Sequence, residues 1–240
     1  MIELIELTKE FGKVRAVDRL SFTIRQGEIF GILGENGAGK TTTLRMLATM
    51  LKPTSGTAII EGLDITKEPE KVRRKIGILF GSESGLYGRL TARENIEYFA
   101  LLHDMKKDEI KKRIDELVER FQMQEFIDRP AGKFSKGMKQ KVCFVRSIIH
   151  NPDVMLFDEP TNSLDVTGAK EVHDFIRLCK QEGRTIIFSS HTMSEVEKLC
   201  DRVAIIHKGQ LVAIGTIDEI KQRFSGSSFE DAFIRLVGDN

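Results

Sequence analysis

Gly34-Glu35-Asn36-Gly37-Ala38-Gly39-Lys40-Thr41 fits the pattern G-x-x-x-x-G-K-[ST], and each fixed residue type in it has a physical job beside a phosphate. Glycines permit positive φ and bring backbone N–H groups close to phosphate oxygens, while a helix starting at the lysine turns its positive end toward them. Lys40 would neutralise the β- and γ-phosphates, and the Thr41 hydroxyl would hold magnesium. The candidate nucleotide-binding set is therefore Gly34, Glu35, Asn36, Gly37, Ala38, Gly39, Lys40, Thr41 and the next hydroxyl, Thr42. About 120 residues further on, Val154-Met155-Leu156-Phe157-Asp158-Glu159 is an apolar run ending in two carboxylates. Side chains alternate in direction along a strand, so the two acids serve different faces. We assign Asp158 to the magnesium shell and Glu159 to polarising the attacking water, the tasks that phosphoanhydride hydrolysis adds to a phosphate cradle. The same pair could instead cap the segment that follows. Glu159 favours hydrolysis over transfer to a second substrate.

These groups need elements to hold them. Ile2 to Leu7 alternates with period two, Ser21 to Arg25 repeats the pattern, and Ile29-Phe30-Gly31-Ile32-Leu33 reads as a buried strand. Lys40 to Leu51 reads as a helix closed by Pro53, which puts the glycine-rich loop at a strand-to-helix turn. Further strands are expected at 57–61, 76–80, 154–158, 185–190, 203–207 and 211–214. Between 84 and 150 the character changes: Thr91 and Glu94 form a capping box, and 91–103, 107–121 and 137–149 have helical periodicity. The expectation is an α/β fold with a mostly parallel sheet, the early strands forming an antiparallel layer, and an inserted helical subdomain at about 84–150.

With 240 residues, 40% apolar and 30% charged, the chain can bury one sizeable core with a subdomain. A formal net charge of +1 gives no electrostatic footprint for nucleic acid. Cys143, Cys179 and Cys200 are scattered and odd in number, fitting neither a disulfide framework nor a zinc site. The first residues carry no secretory pattern, and no apolar run approaches the ~18 residues of a membrane span. A cytoplasmic chain is expected, with any membrane role supplied through a partner.

Phe134-Ser135-Lys136-Gly137-Met138-Lys139-Gln140, between the two phosphate motifs, resembles the signature of ABC ATPases. Alone, Ser135 would be an ordinary helix N-cap. The resemblance covers essentially residues 2 to 224, implying one ATPase domain of the P-loop nucleotide-hydrolase type over 1–224 and a short C-terminal tail over 225–240. It places Phe11 as the aromatic that stacks on adenine, though Phe11 could equally be core, and Val17 as a neighbouring apolar contact. Asn162-Ser163-Leu164-Asp165 is similar to the family's segment at the dimer interface, and His191 to the histidine that reaches the γ-phosphate. Ser135 and Gly137 of one copy would complete the phosphate site of another.

One departure stands out. The family usually has a glutamine after the strand expected at 76–80, whereas this chain reads Gly81-Ser82-Glu83-Ser84. Ser82 is the nearest positional match for a magnesium-coordinating group, with a shorter reach. Lys136 and Met138 also replace the usual glycine and glutamine of the signature. The resemblance implies ATP and magnesium as cofactors, a homodimer, and a separate transmembrane permease subunit that contacts the 81–90 region. It also implies a place at the inner face of the cell membrane. The wording of the motifs is most similar to prokaryotic exporters of the drug and sodium efflux group. A non-transport ABC ATPase is the alternative, although neither a second cassette nor a long coiled-coil insertion is present in the sequence. A P-loop kinase would leave the signature, Glu159 and His191 unexplained.

Overall fold

The structure, a computed structural model, describes residues 1–80, 85–162, 164–224 and 228–238. In chain order the strands and helices are β1 (Ile2–Phe11), β2 (Val14–Ile24), β3 (Ile29–Leu33), α1 (Lys40–Leu47), β4 (Ser55–Ile60), β5 (Leu63–Asp64), α2 (Pro69–Lys75) and β6 (Ile76–Phe80). There follow α3 (Ala92–Leu102), α4 (Lys107–Arg120), α5 (Lys136–Ile148), β7 (Val154–Asp158), α6 (Val166–Gln181), β8 (Thr185–Ser190), α7 (Met193–Leu199), β9 (Arg202–His207), β10 (Gln210–Gly215), α8 (Ile217–Arg223) and α9 (Phe229–Gly238).

Among the described residues, one sheet has the order β10-β9-β3-β8-β7-β6, parallel throughout except for β10, which runs antiparallel to β9 at the edge. The second sheet, β2-β1-β4-β5, is wholly antiparallel. The expected architecture is thus present. Period two divides the core cleanly. Phe30 and Ile32 of β3 pack with Ile2, Leu4, Leu20, Leu44 and Leu47 on the side of the antiparallel sheet and α1. Ile29 and Leu33 face the opposite way, into a cluster with residues of α3 to α7 and α9. Central parallel strands are covered on both faces, which is why β3, β7 and β8 read as nearly continuous apolar runs.

The middle helices lie where expected, and the Thr91–Glu94 capping box is formed in both directions. Their buried residues belong to the same cluster as the parallel sheet, so the helical segment has no separate core. Two boundaries differ. The helix expected over 40–51 ends at Leu47, because Thr49 adopts a left-handed conformation with φ 57°. Met50 and Leu51 then turn back to bond the Arg45 carbonyl. The short tail expected over 225–240 instead carries α9, whose Phe229, Ala232, Phe233 and Val237 are buried in the main cluster. That spacing makes one apolar helical face.

Candidate nucleotide site

The carboxyl ends of β3, β7 and β8 lie side by side, with Leu33 paired to Ser190 and Asp158 to Ser189. In open α/β sheets ligands sit outside this edge. The glycine-rich loop leaves β3 here and is clamped from below. A side chain at Gly34 would bring its Cβ to 2.4 Å from the Ile206 carbonyl oxygen. At Gly39, φ is 107° and a Cβ would meet the Ala16 carbonyl oxygen at 2.5 Å. Only glycine fits either position. Ala38 N–H donates to the Glu35 carbonyl at 3.1 Å, and Gly209 N–H to the Ala38 carbonyl at 3.0 Å, fixing the loop before α1 begins at Lys40.

Lys40 is buried, and its Nζ donates to the carbonyls of Gly34 at 2.8 Å and Glu35 at 3.1 Å while pairing with Glu159 Oε1 at 3.2 Å. Thr41 Oγ1 donates to Asp158 Oδ1 at 3.0 Å, and Ser189 Oγ donates to the same oxygen at 2.7 Å. Glu159 takes φ 45°, a left-handed conformation that costs a non-glycine residue roughly 1–3 kcal/mol. Its N–H is held by the carbonyl and the hydroxyl of Ser189, at 3.2 and 3.0 Å. The turn gives the adjacent carboxylates different neighbours. Asp158 faces Thr41, whereas Glu159 Oε2 lies 3.3 Å from His191 Nδ1 and 3.4 Å from Asn162 Nδ2.

The result is a cleft of about 490 Å³ lined by Ala16, Asn36, Gly37, Gly39, Lys40, Thr41, Thr42, Asp158, Glu159 and Asn162. A second hollow of about 310 Å³ adjoins it through Glu159 and Asn162 and includes His191, Thr161, Asp165, Ser190 and Glu195. A polyphosphate fits the first. Its floor is backbone with no room for side chains, its wall carries a buried ammonium, and Thr41 and Asp158 offer the hard oxygens that magnesium takes.

Not every expected residue is in the lining. Gly34, Glu35 and Ala38 shape the loop from behind. Val17 is fully buried in the core, so it cannot offer a free apolar contact to a base; its neighbour Ala16 reaches the cleft instead. Phe11 is half exposed at the end of β1, with Lys9 Nζ 5.2 Å from its ring centre, and lies outside the cleft lining. Ser135 caps α5, accepting from Met138 N–H at 3.3 Å, and neither it nor Gly137 lines the cleft of its own chain. Ser82 lies outside the described residues. Ser189 is a site residue that the chemistry of the sequence alone does not single out, and Asn162, expected only as part of a dimer-interface segment, lines the cleft as well. A serine at a strand end carries no chemical signature, and only the pairing of Ser189 with Asp158 reveals it.

Comparison with known proteins agrees with this geometry. The ABC transporter family model matches residues 17–162. The chain is 48% identical over 224 residues to the ABC transporter ATP-binding protein NatA of Bacillus subtilis, covering 92% of this chain and 91% of that one. It is 42% identical over 224 residues to the bacitracin transport ATP-binding protein BcrA of Bacillus licheniformis, covering 93% and 72%. Among solved structures, the dimeric post-hydrolysis state of the ATP-binding cassette MJ0796 bound to ADP and Pi superposes with a TM-score of 0.78 at 26% identity, covering 90% of this chain and 98% of that one. A clamped phosphate loop, a split pair of carboxylates and these likenesses converge on one assignment: the chain belongs to the ABC transporter ATP-binding family and is an ATPase.

Proposed function

We propose that this chain hydrolyses magnesium-ATP as the motor of an exporter whose transmembrane path is a separate permease subunit. The observation that carries the catalytic part is the division of labour at the end of β7: Asp158 bonded to Thr41, and Glu159 set between Lys40 and His191. Residues 34–42 would bind the phosphates, with Lys40 supplying charge and Thr41 and Asp158 the metal oxygens. Bound magnesium would supply charge neutralisation at the phosphates. Glu159 would orient and deprotonate the attacking water, and His191, on the same carboxylate, would approach the γ-phosphate. Ala16, in the cleft lining, would contact the base, and Phe11 would stack on it. Two copies would close head to tail, Ser135 and Gly137 of each completing the other's site.

Support for a membrane partner comes from the surface around residues 85–90. Met50, Tyr87, Tyr98, Leu101 and Leu102 are exposed, and a hollow of about 320 Å³ beside them is lined by Met50, Ile78, Phe80 and Phe99 together with Arg73, His103, Arg146 and His150. Among the described residues no helix is long and apolar enough to cross a membrane. Export rather than import is supported by relatives named for resistance to linearmycin and to daunorubicin. Expressed in its own host, the chain should sediment with the membrane fraction. The pair Leu101→Asp and Leu102→Asp should move it to the supernatant while leaving magnesium-ATP binding intact. A wild-type chain found wholly in the supernatant would contradict the permease assignment.

A further inference from the structure

Glu195 lies in the first turn of α7, at the third helical position, where a glutamate commonly turns back to cap the helix entry. Here it does not. The Thr192 N–H that such a cap would bind is taken by Ser190 Oγ at 2.9 Å, and Ser190 Oγ in turn donates to Glu195 Oε2 at 2.9 Å. The Glu195 carboxylate also accepts from His173 Nε2 at 3.1 Å and from the Thr161 hydroxyl. Burial raises its pKa, but the bonds from His173, Thr161 and Ser190 outweigh that, and it sits below the ordinary value.

The three donors come from three separate segments. Thr161 lies two residues after Glu159, Ser190 immediately precedes His191, and His173 stands on α6, which begins at the cap made by Asp165. A carboxylate has about four lone-pair sites and can serve all three, whereas an amide offers one oxygen and presents N–H groups to the remaining donors. Both loops that carry the Glu159–His191 pair are thereby tied to one largely buried group.

We infer that Glu195 is a positioning residue for ATP hydrolysis, setting the 3.3 Å approach of His191 to Glu159 by anchoring both of their loops and linking them to α6. The inference rests on the reading that Glu159 and His191 act in hydrolysis. Small displacements of such groups cost turnover much more than they cost binding.

The test is steady-state ATPase activity of the full chain, with magnesium-ATP affinity measured separately by fluorescent nucleotide titration. Glu195→Ala should lower kcat by about tenfold to a hundredfold and leave affinity within about twofold. Glu195→Gln, which keeps one acceptor and the side-chain volume, should recover part of the loss and provides the readout if the alanine variant folds poorly. In a His191→Ala background, Glu195→Ala should produce a smaller further loss than in the wild-type chain, since one of the two groups it positions is gone. A purely structural role would instead multiply the two losses and overturn the inference. If His191→Ala loses turnover but both Glu195 variants keep wild-type kcat, the inference falls and the catalytic reading stands. If His191→Ala and Glu159→Gln both turn over normally, the catalytic reading falls and takes the inference with it.

Discussion

Lys40 illustrates how a charge is kept inside this protein until it is needed. Its ammonium is almost fully buried, yet three oxygens surround it: two carbonyls of its own loop and Glu159. An uncompensated ammonium there would be costly, and a phosphate oxygen is the kind of partner that can join such a set. Lys40→Ala removes the cation while leaving the carbonyls and Glu159 facing the phosphates. Nucleotide binding in a fluorescence titration should therefore be lost; retained tight binding of magnesium-ATP would count against the assignment. At this scale a side chain with distinctive chemistry announces itself, as Lys40, Thr41, Asp158 and Glu159 do, and the structure brings these four together in one cleft. Other positions are decided by geometry. Val17 and Ala16 sit next to each other on β2, and strand alternation sends the valine into the core and leaves the alanine to face the cleft.

At the level of elements, cooperation between neighbours determines what a sequence can announce. Thr91 and Glu94 advertise the start of α3 because both halves of the cap are local. By contrast, α9 was hidden, since its apolar face acquires meaning only from the cluster it covers. The end of α1 was overrun because Thr49, not Pro53, turns the chain. Packing between α3 and α5 also leaves a pH-sensitive contact. His150 stacks on His103 with ring centres 3.6 Å apart and planes 3° from parallel, and its Nε2 lies 3.0 Å from the Ile76 carbonyl oxygen. Burial first, then the neighbouring His103 and Arg184, push its pKa down to about 4, against the opposing pull of the Ile76 carbonyl. His103 is lowered too, by burial and Arg74, with Asp104 opposing. An unfolded histidine titrates near 6.5, so between about 6.5 and 4 the unfolded chain binds more protons than the folded one. The contribution of His150 is fully present above that window and is lost as pH falls through it, up to about 3 kcal/mol. Urea unfolding at pH 7 and pH 5 should show this loss, and His150→Gln should show a smaller difference between the two. An identical difference in both chains would remove His150 as a cause.

Over the whole molecule, the separation of Ser135 from the phosphate loop is the feature that matters most. Apart from the loop residues up to Thr42, the cleft is lined by Ala16 and by residues from Asp158 onward, while Ser135 is exposed at the start of α5. Each copy thus carries a phosphate loop and a signature segment that serve, in our proposal, two different nucleotides. Mixing Lys40→Ala chains with Ser135→Arg chains should restore activity that neither has alone, because the mixed dimer holds one site with both defects and one with neither. No recovery despite a demonstrated mixed dimer would contradict two independent sites completed in trans. The central claim, that Glu159 drives hydrolysis inside an ATP-closed pair, is tested most directly by Glu159→Gln, followed at once by turnover and by gel filtration with magnesium-ATP. The variant should bind ATP, elute as a dimer, and turn over at least ~10²-fold more slowly than wild type, the usual cost of losing a general base; turnover at the wild-type rate would contradict the account.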